Sequence, residues 1–524
     1  MDVTYLPIGE PAADLSWARR VADLEDIRRF AERVDLVVVG GGISGVGVAL
    51  DAASRGLSTV VVERADLAFG TSRWSSKLVH GGLRYLATGH VDVAWESAVE
   101  RGHLMTTIAP HLVRALPQVV PVMSDTPWAQ AGLTRLGFLA GDVLRAGART
   151  RGSVLPPAHW VSASRVRTLA PAIDASRVRG GIMAWDGQLV DDARLVVAVA
   201  RSAAALGARI LTYAEAEEIS GEGVRVRDHA SGEVFDIQAT AVVAATGVWA
   251  GELDSDVRVH PSRGTHVLFD ARRLGYPLAA LTIPVPGMSG RYCFLIPRPD
   301  DTVLAGITDV GVDHIDAVPK APLEDVDWII EQVNRVLAIP LTREDVLGAF
   351  AGLRPLVTFG SAAQSATSDI SRKHLVTKNA DGVITLTGGK LTTYRRMAQD
   401  AVDLVTDVPS RTRHIALIGA SPDAPRRSPG FFAADPLVMR YGAEADRVRA
   451  LAAMLPGDAL APISAHTSVA RVDVAHAVLH EGARTADDVI ERRLRLDAVD
   501  AEASAARSAV EETMEQIASM ASIN

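Results

Sequence analysis

Apolar and polar positions along this chain fall into blocks that switch period several times. Asp35-Leu-Val-Val-Val-Gly is a continuous apolar run, the pattern of a strand buried on both faces. The spacing from Ile43 to Arg55 predicts a helix and Ser58–Glu63 a second strand, which together make a β-α-β unit. Residues 1–33 read as a polar lead-in with a short helix over Leu15–Phe30. Further on, Asp191-Asp192 caps a helix running to about Leu206, and Ala208–Tyr213 follows as a strand. Ala241–Ala245 is another apolar strand, ending in Thr246-Gly247. Between about 260 and 310 the pattern shortens to β runs with Pro and Gly breaks: His266–Asp270, Arg291–Pro297 and Thr302–Ile307. These predict an antiparallel sheet. Leu375–Leu391 predicts a strand and then a glycine-rich turn, with a helix from about Thr392. From about 406 the chain is mostly helical, with a Pro/Ser/Gly-rich join near 420–430 and no internal repeat.

The β-α-β unit carries the strongest local motif, Gly40-Gly41-Gly42-Ile43-Ser44-Gly45. Gly40 permits a tight turn after the strand, Gly42 lets backbone approach a pyrophosphate, and Gly45 lets the helix pack against the sheet. The helix start supplies unpaired N–H groups and a positive dipole end. Glu63, closing the next strand, can accept from ribose hydroxyls, and an acid there disfavours a 2′-phosphate and hence NADP. The motif alone does not separate FAD from NAD, and a glycine-rich turn can also exist without a ligand.

Composition narrows the picture. At 524 residues and 48% hydrophobic content the chain can bury several cores, and a prior of roughly 150 residues per domain suggests about three. A formal charge of -9 opposes a nucleic-acid surface, though a few focused arginines can still hold an anion. The single Cys293 excludes an internal disulfide and a cysteine-based zinc site, and no metal site is expected. Its apolar setting, Tyr292–Ile296, predicts a buried thiol. The opening residues have early acids and prolines without an apolar core, unlike a secretory signal. No stretch of about 18 apolar residues predicts a membrane span, and a cytoplasmic location is expected.

Beyond Glu63 the chain reads Thr71-Ser72-Arg73-Trp74-Ser75-Ser76-Lys77-Leu78-Val79-His80-Gly81-Gly82-Leu83-Arg84-Tyr85-Leu86. This resembles the SSKLIHGGLRYL segment of FAD-dependent glycerol-3-phosphate dehydrogenases. The likeness recurs at Gly352-Leu-Arg354-Pro-Leu, Asp369-Ile-Ser-Arg372, Gly388-Gly389-Lys390-Leu-Thr-Thr393-Tyr394 and Glu481 through Arg492, and so spans about 34 to 515. Two departures are visible. Arg263-Gly264-Thr265-His266 stands where the family often has GSH, a change that keeps the hydroxyl, and the stretch after Arg354 lacks an acidic run seen in some members.

The resemblance implies a fold like that of D-amino-acid oxidase, mixed α/β and α+β. A Rossmann-like FAD-binding domain is built from discontinuous segments, with an inserted antiparallel-sheet substrate domain and a C-terminal helical domain. On this chain the expected intervals are 1–33 as an extension and 34–259 for FAD, with 116–180 inserted as a partly capping, partly membrane-facing segment. Residues 260–354 would bind substrate, 355–405 return to the FAD domain, and 406–524 form the helical domain. The implied activity is oxidation of sn-glycerol 3-phosphate to dihydroxyacetone phosphate, by hydride transfer from C2 to flavin N5.

Such chemistry needs bound FAD, a path to flavin N5, a base and an anion clamp. The cofactor set is Gly40, Gly42, Ile43, Ser44, Gly45, Glu63, Thr71, Ser72, Ser75, Ser76, Lys77, Gly81, Gly247, Gly389, Lys390, Leu391 and Thr392. Lys390 is the candidate cation beside the reduced flavin; a solvated surface lysine is the alternative. Guanidinium forks match phosphate geometry, so Arg354 and Arg372 are clamp candidates with Arg84 nearer the reacting end. Tyr85 packs or hydrogen-bonds near the flavin. The base falls to His80 or His266, both in matching motifs, with a structural hydrogen-bonding role as the alternative for each. Thr308-Asp309 lines a cavity or simply turns the chain.

The acceptor stays open between membrane quinone and oxygen, as in the sister oxidases; an amine oxidase of the same fold and a non-catalytic flavin-binding protein are the remaining alternatives. An amphipathic basic segment at 127–149, with Arg135, Arg145 and Arg149, can lie on an anionic membrane as a peripheral contact at its cytoplasmic face, or be an ordinary packed helix. A homodimer is left open.

Overall fold

The computed structural model describes residues 2–30, 33–82, 90–288, 290–357, 373–423, 435–465 and 467–521. Among these, two large sheets organise the chain.

The first sheet forms around the apolar run. Val34–Val39 lies between Thr59–Glu63 and Val234–Ala244, paired in parallel with both. Arg209–Thr212 and Ile384–Gly388 extend it in parallel on either side. Leu36, Val37 and Val38 are 0% exposed, so this strand is covered on both faces, as continuous apolar runs in parallel sheets require. The helices Ile43–Ser54 and Asp192–Ala205 pack together and help form that cover. Asp191 caps the second of these, its side chain accepting from Arg194 N at 3.0 Å. The run read as Ala241–Ala245 is the end of a longer strand whose first half pairs with a half-buried antiparallel hairpin. Alternation there dilutes the apolar signal. The segment 375–391 is a hairpin, His374–Lys378 with Ile384–Gly388, rather than one strand, and a short 3-10 turn precedes the helix Tyr394–Val402.

The second sheet has ten strands. Val259–Asp270, Tyr292–Pro297 and Thr302–Gly306 pair antiparallel as the short β runs predict, and Val346–Val357, not among those runs, pairs antiparallel with Val259–Asp270. It also takes strands from well before residue 260: Leu78–Val79, Val113–Met123, His159–Ser162 and Val178–Leu189. One joint is parallel, Ala280–Pro284 beside Val113–Met123, and it stitches the early strands to the later ones. Cys293 is fully buried in this sheet, and burial pushes its thiol up to about 12, so it is not a nucleophile at neutral pH.

The C-terminal region, whose helices include Arg471–Glu481 and Asp500–Ala521, docks through buried ion pairs made by Glu444, Glu481, Arg492 and Arg493. Arg493 donates to both oxygens of Asp66 at 2.7 Å, and Arg492 adds a third contact at 2.9 Å. Asp66 lies three residues past Glu63, so the helical domain holds the loop that leaves the ribose end of the first sheet. Arg201 grips Glu444 bidentately at 2.6 and 2.8 Å, and Arg194 grips Glu481. A charge this deep is tolerated only when paired.

Candidate active site

A cavity of about 1520 Å³ takes its walls from both sheets. At one end is the glycine turn. Gly40 has φ +113°, and a Cβ there would come within 2.7 Å of Ala245 O. At Gly45 a Cβ would stand 1.9 Å from Gly40 O, so only glycine lets the helix seat on the turn. Gly42, by contrast, would meet only Ser72 Oγ, at 3.1 Å; the space it leaves faces the cavity. Ser72 Oγ accepts from Ile43 N at 3.0 Å, fixing the start of the helix. Glu63 accepts from Gly41 N at 2.6 Å and Ala65 N at 2.8 Å, while burial raises its pKa.

Farther along, Ser44, Thr71, Ser72, Ser75 and Ser76 line the wall. Thr71 Oγ1 donates to Leu353 O at 2.7 Å, tying this loop to the second sheet. Gly247, Gly389, Lys390, Leu391 and Thr392 form the facing wall. Gly388 and Gly389 have left-handed φ of +77° and +71°, which turns the chain sharply enough to aim this segment inward. Lys390 Nζ donates to Ser97 Oγ at 2.8 Å.

Lys77, expected beside the cofactor, is instead buried behind the wall. Its ammonium donates to Asp192 at 2.6 Å and Arg73 O at 2.9 Å, and Asp192 also accepts from Ser75 N at 2.8 Å. It therefore holds Ser75 and Ser76 in place from behind. His266 is likewise off the wall. Stacked on Phe350, with centroids 4.9 Å apart, it reaches the cavity only through Ser76 Oγ, 2.8 Å from its Nε2. Burial, then the Lys77 and Arg354 charges, hold its pKa well below the usual imidazole range, so it stays neutral. Gly81 is not on the wall either; a Cβ there would collide with Arg101 Nη1 at 2.1 Å. His80 does line the cavity, with Nδ1 3.2 Å from Asp186 Oδ2.

Arg354 lines the cavity too. Its Nη2 donates to Thr308 O at 3.1 Å, and its Nη1 lies 3.3 Å from Ser262 Oγ and 3.4 Å from Asp309 Oδ1. Asp309 is shared with Arg291, whose Nη2 is 3.7 Å away, and both Arg291 and Asp309 line the cavity. The Thr308-Asp309 pair is thus a wall of the cavity. Arg84, Tyr85 and Arg372 fall outside the described residues.

The donor set fits FAD. A glycine turn that side chains would fill, the helix start at Ile43 and Ser44, a strand-end acid and a second inward turn at 388–392 line one continuous space.

The comparisons agree. The family model described as FAD dependent oxidoreductase matches residues 35–395, and that of the C-terminal domain of alpha-glycerophosphate oxidase matches 410–522. Glycerol-3-phosphate dehydrogenase 1 of Mycobacterium tuberculosis is 48% identical over 499 residues, covering 93% of this chain and 96% of its own. The chain belongs to the FAD-dependent glycerol-3-phosphate dehydrogenase family. FAD is accordingly its cofactor. The glycerol-3-phosphate dehydrogenase of Bacillus halodurans, solved with FAD, shares the family fold at TM-score 0.68 and 24% identity, over 95% of this chain and 98% of that one. L-alpha-glycerophosphate oxidase of Mycoplasma pneumoniae, also with FAD bound, aligns at TM-score 0.55 and 18% identity over 72% of this chain and 97% of its own.

Within this family member, sequence reading passed over Arg291, Asp186 and Arg101. Arg291 opens an apolar strand as an ordinary flanking charge would. Asp186 sits in the run Met183–Leu189, where only the pairing of Val79 with Gly187 brings it beside His80. No local pattern marks such a contact.

Proposed function

We propose that the chain oxidises sn-glycerol 3-phosphate to dihydroxyacetone phosphate and delivers the electrons to a membrane quinone. The observation that carries this is the shared cavity wall: guanidinium groups of Arg354 and Arg291, the His80 imidazole, and a dinucleotide cradle. FAD, when bound, supplies the two-electron acceptor for the C2–H bond. Arg354 and Arg291 grip the phosphate dianion, and Asp309 between them keeps both forks oriented. His80 takes the hydroxyl proton, and Lys390 offsets negative charge gathering on the reduced cofactor. His266 orients Ser76 as a neutral partner.

The helix Trp128–Gly147 supports the acceptor assignment. Leu133, Leu136 and Val143 are 72%, 64% and 72% exposed, an unusual display for a helix of which Ala131 is the buried residue. Gln130, Leu133, Thr134, Gly137 and Phe138 of the same helix line the cavity, which thereby opens along the apolar face. Among the described residues no helix is long and apolar enough to cross a membrane, so the contact would be peripheral.

Anaerobic addition of sn-glycerol 3-phosphate should bleach the flavin band at about 450 nm. Holoenzyme that stays yellow would refute the substrate assignment. The protein should also sediment with anionic phospholipid vesicles, and the triple change Leu133→Glu, Leu136→Glu, Val143→Glu should release it. Rapid peroxide formation without added quinone would assign the electrons to oxygen instead.

A further inference from the structure

We infer that Asp186, clamped by Arg101, is the residue that sets the tautomer of His80 and turns its Nε2 lone pair toward the substrate hydroxyl. This rests on the reading of His80 as the proton acceptor.

The geometry is specific. The short strand Leu78–Val79 pairs antiparallel with Val178–Leu189, placing Val79 opposite Gly187 and bringing His80 beside Asp186. The two carboxylate oxygens have divided tasks. Oδ1 accepts from Arg101 Nη1 at 2.7 Å, Gly187 N at 3.0 Å and Gly81 N at 3.1 Å. Oδ2 faces His80 Nδ1 at 3.2 Å, with Gly81 N more distant at 3.4 Å. Three donors on one oxygen hold the carboxylate plane, so it cannot rotate away from the ring.

Two glycines make this possible. A Cβ at Gly81 would overlap the Arg101 guanidinium, and one at Gly187 would press Val79 Cβ at 2.9 Å. Gly81 therefore serves the carboxylate and its arginine, which explains its place in the His80-Gly81-Gly82 run.

The chemistry follows from charge. Burial favours the neutral acid at Asp186, but the Arg101 charge and the His80 hydrogen bond outweigh it and hold its pKa below the usual range. An ionised carboxylate can only accept, so the ring must carry its proton on Nδ1. Nε2 is then an acceptor on a ring that lines the cavity, with Phe294 tilted beside it at a centroid distance of 6.3 Å. Among the described residues the charged groups at its Nδ1 edge are Asp186 and, behind it, Arg101. When His80 takes the hydroxyl proton, the fixed carboxylate stabilises the imidazolium that forms.

The test uses FAD-loaded protein carrying ¹⁵N-histidine, with the His80 resonances assigned from the His80→Gln spectrum. The ring should be the Nδ1–H tautomer in the wild-type protein; an Nε2–H tautomer overturns the inference without any variant. Asp186→Asn should invert the tautomer, because the amide can donate to Nδ1. Anaerobic flavin reduction should slow by about 10²–10⁴-fold while the Kd for glycerol 3-phosphate changes by less than about threefold. Asp186→Glu, which keeps the charge, should recover part of that loss. If Asp186→Asn reduces its flavin at the wild-type rate while His80→Gln is slow, the positioning role is refuted and the base survives. If His80→Gln is itself fast, the base reading falls and the inference with it.

Discussion

Replacing Arg354 with alanine tests the anion clamp most directly. The guanidinium is held by Thr308 O, Ser262 Oγ and Asp309 and is 21% exposed, so it is largely but not wholly desolvated. Removing one partner of a buried, hydrogen-bonded charge pair costs about 2–5 kcal/mol. Residual exposure and the neighbouring Arg291 place this case in the lower half, at about 2–3 kcal/mol. At about 1.4 kcal/mol per decade, KM for glycerol 3-phosphate should rise about 30- to 150-fold. Steady-state kinetics with a soluble dye acceptor reads the change, and flavin absorbance checks that FAD is retained. Arg354→Lys keeps the charge without the fork and should fall between. Arg291→Ala should act in the same direction, and the double variant should be non-additive because both arginines share Asp309. A KM within about twofold of wild type, with flavin intact, would remove Arg354 from the clamp.

Other expectations concern cofactor and fold. Gly42→Ala should leave the melting temperature of the apoprotein near wild type and weaken FAD binding, because its Cβ would enter the cavity. Gly45→Ala should lower the melting temperature itself, its Cβ having no room against Gly40 O; equal behaviour of the two would refute this division. Asp66→Asn should destabilise by about 3–5 kcal/mol, since it strands the buried charge of Arg493, while Arg492 keeps Asp488 and Glu491; calorimetry reads the loss. At Asp14 burial favours the neutral acid, but the hydrogen bonds and charges of His480 and Arg447 prevail and depress its pKa to about 2 from 3.8. A folded value below the unfolded one gives stability that is present above about pH 4 and disappears as pH falls toward 2. Asp14→Asn should therefore flatten the melting-temperature profile in that window, and an unchanged slope would deny the linkage.

What the sequence made legible and what it hid divide along physical lines. The nucleotide turn could be read because each glycine there answers to a local backbone demand within a few residues. The same holds for Val34–Val39 and the capped helix after Asp191, whose signals are periodicity and a side-chain oxygen at the right offset. The second sheet was only half visible. Its early strands, Val113–Met123 and Val178–Leu189, pair across long connections, and neither alternates because both are almost wholly buried. Lys77 and His266 show the other limit. Each stands in a motif rich in functional residues, yet Lys77 points away between the lining residues Ser76 and Leu78, and His266 is set back behind Ser76, placements that tertiary packing decides and composition cannot. Asp186 was hidden for the converse reason: its partner lies 106 residues earlier in the chain.

The grip of Arg493 on Asp66 spans 427 residues, and it bears on how the holoprotein is made. The nucleotide turn's neighbouring loop is synthesised 426 and 427 residues before the arginines that brace it. Secure flavin retention must therefore await synthesis through Arg493, whatever the local competence of the first β-α-β unit. Nascent chains arrested short of Glu481 should lose flavin faster on a desalting column than the full-length protein does.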